Sequence, residues 1–318
     1  MTPVTGGLTH QMWRLETDRG DFAVKEINID PGGTWQAPWI ERAFTLECAA
    51  FDAGVPMPRP VPAVATGLCL AEVARRNGSS ATARVHAWVE GEGLHHTVYP
   101  ADVAAHVAGV IATIHAMHMP AGETLSDALR VGGDEHWQAL AERVERSDIE
   151  WRWELRGLLH TVRDLEAYVD ASRHDTSPLI LSHRDADQKN WMKTASAELL
   201  LVDWDAAGRV HPRHEVAGLA LRWAGVGLGE PDWKVVRAWI RGYREAGGKL
   251  DSIQPGDLGE FVSVAIWWFE YNVRRALGER ARDEADRRLG MDMARREFKS
   301  LPRVLGSIER WARVLGEE

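Results

Sequence analysis

The pattern of apolar and polar residues over the first thirty positions reads as strand and turn. "QMWRLETDRGDFAVKEIN" holds two β-prone runs separated by "DRGD", which predicts a hairpin. From about 38 to 53 the period becomes helical, with Ile40, Phe44, Leu46 or Glu47, Ala50 and Phe51 recurring on one side. That helix must end at Gly54 and "VPMPRPVP", whose four prolines forbid continuation. β-prone pieces follow at 61–73 and 81–89, and "WVEGEG" at 88–93 reads as a connector. The pattern then changes character. Val103, Val107, Val110, Ile111 and Ile114 form one apolar stripe and predict a helix over 101–117. One or two helices are expected over 135–172, then a β-rich interlude at 178–205. Helices resume at about 213–225, 231–246, 256–277, 281–298 and 302–316. The order predicts an α+β chain of two lobes: a small antiparallel β lobe (1–85), a hinge (86–93) and a large, mostly helical lobe (94–318).

Composition narrows the class without changing this picture. With 318 residues, 45% apolar and 27% charged, the chain has enough material for a sizeable core. No apolar run is long enough for a membrane span, and the first residues lack the basic and apolar regions of a signal peptide. Cys48 and Cys69 sit in apolar surroundings and suit a reducing cytoplasm without a disulfide. The net charge of −9 argues against nucleic acid as a partner and favours a cationic small molecule. Fifteen tryptophans are divided between core and binding surface in a way composition does not resolve.

Chemistry concentrates in "LSHRDADQKN", residues 181–190, where an apolar approach gives way to a polar loop. His183, Asp185 and Asn190 fall at the spacing His-x-Asp-x-x-x-x-Asn, and in "LLLVDWD" an apolar run delivers Asp203 to a strand end. Phosphoryl transfer from ATP needs a carboxylate beside the acceptor hydroxyl and oxygen ligands for Mg²⁺. Asp185 fits the first role; Asn190 and Asp203 fit the second. His183 reads as a structural hydrogen-bonder.

These residues resemble the aminoglycoside phosphotransferase and choline kinase family, small-molecule kinases that share the protein-kinase architecture. That family usually carries His-Gly-Asp where this chain has His183-Arg184-Asp185. Gly208 and Glu215 stand where the family keeps a glycine and an aspartate after the metal-binding Asp. "GG…FAVK" and "GVPMPRPV" extend the likeness over roughly 5–225. The resemblance implies that Lys25 reaches the α- and β-phosphates of ATP and pairs with a glutamate of the next helix, Glu47 or its competitor Glu41. It implies a phosphate flap of Gly6, Gly7 and Thr9, and adenine at the hinge, where Trp88 either stacks near the base or fills core. Arg184 either braces the loop against Glu215 or is exposed.

The acceptor's identity is not set by the loop. Asp187 either faces a cationic substrate or caps the loop. In "VSVAIWWFEYNVRRAL", Glu270 interrupts an aromatic segment, so either Glu270 binds a cation or Trp267 and Trp268 wall a neutral acceptor. A peptide substrate is disfavoured, because the eleven residues between Asp203 and Glu215 contain no Ser, Thr or Tyr and leave no room for a docking segment. A dead nucleotide-binding module would lack Asp185, Asn190 or Lys25, and all are present. The expectation is therefore an ATP- and Mg²⁺-dependent O-phosphotransferase, monomeric or homodimeric, acting on a hydroxylated small molecule. A cationic, aminoglycoside-like antibiotic and an endogenous amino alcohol, sugar or nucleoside are the candidate acceptors.

Overall fold

The computed structural model describes residues 1–4, 11–27, 37–74, 79–121 and 132–317. β1 (Thr2–Val4) pairs with β2 (Gln11–Thr17), which forms the expected hairpin with β3 (Gly20–Glu26). Gly20 closes the turn at φ 116°, a conformation that costs other residues strain. After α1 (Ala37–Asp52) come β4 (Pro60–Val61), β5 (Ala71–Ala74) and β6 (Ser80–Ala87). The sheet runs β1-β2-β3-β6-β4 with β5 also on β6, antiparallel throughout. The β3–β6 register sets Lys25 opposite Arg84 and Ala23 opposite His86, so these side chains share one face of the sheet.

β7 (Gly91–Gly93) leaves the small lobe and joins β9 (Trp191–Thr194) and β10 (Leu199–Leu201) in a second antiparallel sheet. Between them lie α2 (Ala101–Ala116), α3 (Asp134–Glu145), α4 (Leu155–Arg173) and β8 (Ile180–Ser182). β8 pairs with β11 (Gly208–Val210), a strand the sequence pattern does not announce. The helical tail is α5 (Pro212–Trp223), α6 (Trp233–Glu245), α7 (Gly259–Ala276) and α8 (Glu284–Glu317). The architecture is the expected α+β pair of lobes with a protein-kinase-like arrangement.

Two boundaries differ. The β-prone piece at 61–73 is strand only at its ends, as β4 and β5, with turns between them. Two helices, 281–298 and 302–316, are in fact the single α8, which runs through Pro302. A proline inside a helix costs roughly 3 kcal/mol. The buried stripe of Leu301, Val304, Ile308, Trp311 and Leu315 continues across it, and burying each large apolar side chain contributes about 1.5–3 kcal/mol. Packing therefore outweighs the lost hydrogen bond.

Beneath the small β8–β11 pair, a polar network ties α4, α5 and the 255–258 turn together. Arg213 reaches Asp175 at 2.9 Å and Asp257 at 3.0 Å; His214 Nε2 lies 3.0 and 3.2 Å from the same carboxylates. Asp175, His211 and His214 have the composition of a metal-ligand set, but the Arg213 guanidinium already serves as the cation between the two carboxylates. His211 is buried, with its ring 4.6 Å from that of His214. Burial, then the neighbouring His214, pushes the His211 pKa down to about 4. The folded chain thus binds fewer protons than the unfolded one between about pH 6.5 and 4, and stability falls as pH falls through that window. The expected loss approaches about 3 kcal/mol over the full window, of which about 2 kcal/mol falls between pH 7 and 5; His211→Gln should flatten the slope, and urea unfolding of both forms at those two pH values measures it. Equal slopes would remove His211 as the cause.

Candidate active site

The loop 183–190 is suspended between strands. His183, fully buried, accepts from the Asp185 amide at 3.3 Å through Nδ1, and its Nε2 donates to Val202 O at 3.0 Å, which defines the Nε2–H tautomer. Its ring stands edge-on to Trp204 at 4.7 Å. Two buried indoles, Trp191 and Trp223, donate to the Ala186 carbonyl at 3.2 and 3.0 Å, locking the backbone next to Asp185. Trp223 in turn stacks on Trp239. The tryptophan excess thus partly serves the loop's floor.

Arg184 occupies the left-handed region at φ 66°, which explains why a glycine is at ease in this position. Its amide donates to Glu215 Oε1 at 2.8 Å and its guanidinium lies over Trp39. Arg184 therefore reaches Glu215 through its backbone, not through an ion pair of its side chain. A Cβ on Gly208 would come within 3.0 Å of the Arg184 guanidinium, so the glycine admits the arginine. Glu215 also accepts from His115 Nε2 at 2.7 Å. Burial pushes its pKa up, but His115 and the Arg184 amide outweigh that, and the net direction is down.

Asp185 is about one-third exposed. Asn190 Nδ2 donates to its Oδ2 at 2.9 Å and to its backbone carbonyl at 2.5 Å. With Nδ2 spent there, Asn190 Oδ1 is turned the other way. The Val202 amide donates to the Asn190 carbonyl at 2.8 Å, which brings Asp203 alongside. Asp203 is left-handed (φ 64°, ψ 60°) and about half exposed, with Oδ1 held by Lys25 Nζ at 2.7 Å. One amide oxygen and one carboxylate at the cleft suit a hard divalent cation that keeps several waters.

Lys25 departs from the expected pairing. Its ammonium sits between Asp203 and Asp205, 2.5 Å from the latter, and it does not meet Glu47. Glu47 is fully buried, but Arg84 takes it: the Arg84 guanidinium bridges Glu47 and Asp205, and His86 Nε2 adds a contact to Glu47 at 2.7 Å. The planar five-donor fork of Arg84 faces Glu47 with one nitrogen and Asp205 with the other, so Arg84 is interposed between helix and lysine. Glu41 instead accepts from the Cys69 and Leu70 amides at 2.7 and 2.9 Å. Burial lowers the pKa of Lys25, yet Asp203 and Asp205 outweigh it and leave it raised; burial raises that of Glu47, yet Arg84 and His86 leave it lowered. Both shifts favour the charged forms of Lys25 and Glu47. The sequence signals for the missed pair are present: Asp205 is the second acid of "VDWD", and Arg84 is a charge at an inward position of a period-two strand.

Asp187 is 3% exposed, with Oδ1 buried and unpartnered; Trp267, Trp268 and Glu270, on α7, have no contact with the 183–190 loop among the hydrogen bonds, ion pairs and ring contacts of the described residues. Trp267 is 51% exposed, and Trp268 stacks on Tyr271 at 5.7 Å. Glu270 is not the unpaired charge expected: Arg274, one helical turn on, binds it at 2.7 Å and supplies the countercharge, and His136 Nε2 of α3 lies 3.0 Å away. The Trp88 ring is covered by the Arg14 guanidinium at 4.9 Å. Gly6, Gly7 and Thr9 lie outside the described residues.

Comparison with known proteins bears on the family and the fold. The model of the phosphotransferase enzyme family matches residues 1–248. A spectinomycin phosphotransferase solved with ADP and spectinomycin has TM-score 0.63 at 9% identity over 94% of this chain and 91% of that one. An amicoumacin kinase solved in complex with AMP-PNP, Ca²⁺ and Ami has TM-score 0.61 at 10% identity, covering 94% and 88%. A choline kinase from Streptococcus pneumoniae has TM-score 0.52 at 14% identity, covering 95% and 94%. No curated protein sequence matches the chain. With a family match over most of its length and the family's fold around an Asp185–Asn190–Asp203–Lys25 cleft, the chain belongs to the phosphotransferase enzyme family, small-molecule kinases with a hydroxyl acceptor.

Proposed function

We propose that this chain transfers the γ-phosphoryl group of ATP to a hydroxyl of a cationic small molecule of the aminoglycoside type. The observation that carries the transfer is the joining of Asp185, Asn190, Asp203 and Lys25 through direct contacts in one cleft. Lys25 holds the nucleotide's phosphates, and Asp185 orients the acceptor hydroxyl and takes its proton as the oxygen attacks phosphorus. Asn190 Oδ1 and Asp203 would hold Mg²⁺, which supplies charge neutralisation to the phosphates. The cytoplasm, where ATP is abundant, is the fitting compartment.

A positive acceptor is supported by Asp187, whose buried Oδ1 lacks a donor two residues from Asp185, and by the net charge of −9. A second reading, a neutral sugar or nucleoside, draws support from the paired state of Glu270 beside exposed Trp267 and half-buried Trp268. The test incubates the chain with Mg-ATP and a panel of amines, aminoglycosides, sugars and nucleosides, read by mass spectrometry for a gain of one phosphate. Phosphorylation of amine-bearing acceptors is the expected result. Transfer to neutral acceptors alone supports the second reading, and absence of both transfer and Mg-ATP binding would sink the proposal.

A further inference from the structure

The spacing that singles out Asp185 and Asn190 passes over Lys189, which the structure places on the catalytic carboxylate itself. Lys189 Nζ lies 3.0 Å from Asp185 Oδ1, 2.9 Å from Asp185 Oδ2 and 3.3 Å from Asp187 Oδ2. Its side chain is 47% exposed, so the ammonium reaches the open side of the loop. We propose that Lys189 is a second catalytic residue, an ammonium that donates to the phosphoryl group in flight while Asp185 takes the acceptor's proton. The inference rests on the phosphotransfer reading above.

Distances allow the contact. The acceptor hydroxyl must sit within about 2.6–3.2 Å of Asp185, and its oxygen within about 3–3.5 Å of phosphorus at the start of transfer. An ammonium about 3 Å from the same carboxylate reaches the peripheral phosphoryl oxygens by a small turn of a flexible stem. The carboxylate still has room for the hydroxyl: Asn190 and Lys189 share Oδ2, while Oδ1 accepts from Lys189 alone and keeps a lone pair.

Charge accounting gives Asp187 its part. The acceptor oxygen forms a bond to phosphorus, the bond from phosphorus to the β,γ-bridging oxygen breaks, and that electron pair leaves with ADP. The hydroxyl proton moves to Asp185, which becomes neutral; Lys189 keeps its three protons. At that moment Lys189 loses half of its countercharge and turns to the phosphoryl oxygens, while Asp187 retains it in the site. The other group facing this cluster is Arg222, 4.0 Å from Asp187, which limits how strongly Asp187 can hold the lysine. Burial lowers the Lys189 pKa, but Asp185 and Asp187 outweigh it and leave it raised, so the donor stays charged.

The competing role is a bolt, in which Lys189 merely covers Asp185 until an acceptor displaces it. Lys189→Met, Lys189→Arg and Asp187→Asn separate the two, using the full chain and an acceptor identified by the panel. For Lys189→Met the expected result is a fall in kcat of about 10²-fold, with KM for ATP and acceptor, Mg-ADP affinity and the unfolding midpoint close to the parent. Lys189→Arg should recover much of the loss, and Asp187→Asn should fall between. Independently of turnover, the parent should bind Mg-ADP more tightly with fluoroaluminate, a phosphoryl mimic, and Lys189→Met should lose most of that gain. A kcat within twofold of the parent, a raised kcat with a lower acceptor KM, or an undiminished fluoroaluminate gain each overturns the proposal. If Lys189→Met does not fold, Lys189→Gln takes its place. A parent that transfers phosphate while Lys189→Met matches it defeats this inference alone; a parent that neither binds Mg-ATP nor transfers defeats the functional reading and this inference with it.

Discussion

Asp185→Asn is expected to lower turnover by about 10²–10⁴-fold while leaving folding and Mg-ATP affinity nearly unchanged, the usual range for a positioned general base. Asparagine keeps the shape of the side chain and can still accept from Asn190 Nδ2 through its oxygen. It cannot take the acceptor's proton, and it leaves Lys189 with a dipole where a charge stood, 2.9 Å away. Asp185 contributes little to the nucleotide end of the cleft, where Lys25, Asp203 and Asp205 meet, so KM for ATP should hold. Steady-state kinetics with a phosphorylated acceptor, beside calorimetric titration with Mg-ATP, measures both halves. A variant retaining more than about half the parental rate removes Asp185 from the role of base.

Arg84→Met should destabilise the protein by about 3–5 kcal/mol, the range for removing one partner of a buried ion pair. Arg84 is 1% exposed and its guanidinium is shared by Glu47 and Asp205, both buried. Methionine fills much of the volume but leaves two carboxylates in the interior, with His86 as the remaining donor to Glu47 and Lys25 as a donor to Asp205. The damage should extend to function, because an unanchored Asp205 would draw Lys25 away from Asp203 and raise KM for ATP. Arg84→Lys should recover only part, since a compact ammonium on a different stem replaces the planar fork whose separate nitrogens face Glu47 and Asp205. Urea unfolding reports the stability change. A loss below about 1 kcal/mol would mean that the network can be dispensed with, and that Glu47 finds a donor elsewhere.

Period and punctuation in the chain determined the two-lobe α+β order. Strand alternation, the 101–117 stripe and the proline cluster at 56–62 are local signals, each expressed within a few residues of its cause. The spacing of Asp185, Asn190 and Asp203 was legible for the same reason: one loop and one strand end carry them, and the backbone between leaves little freedom. The tail helices were legible by period, but the stop at Pro302 was not real, since the apolar face that overrides a proline is provided by α7.

Tertiary structure decided the pairings between segments far apart in the chain. Lys25 and Glu47 are joined only by way of Asp205 and Arg84, because β6 sets Arg84 opposite Lys25 and the 204–206 turn packs on α1. Glu270 looked like an isolated charge along the chain although Arg274 stands one helical turn on; the approach of His136 Nε2 from α3 came only with the fold. The indole donors to Ala186 come from β9 and α5, and Lys189 shows its contact with Asp185 only once the loop has its three-dimensional turn. Electrostatic pairing depends on distances of a few ångströms between segments far apart in the chain, and periodicity, which reports only which face is buried, carries no information about them.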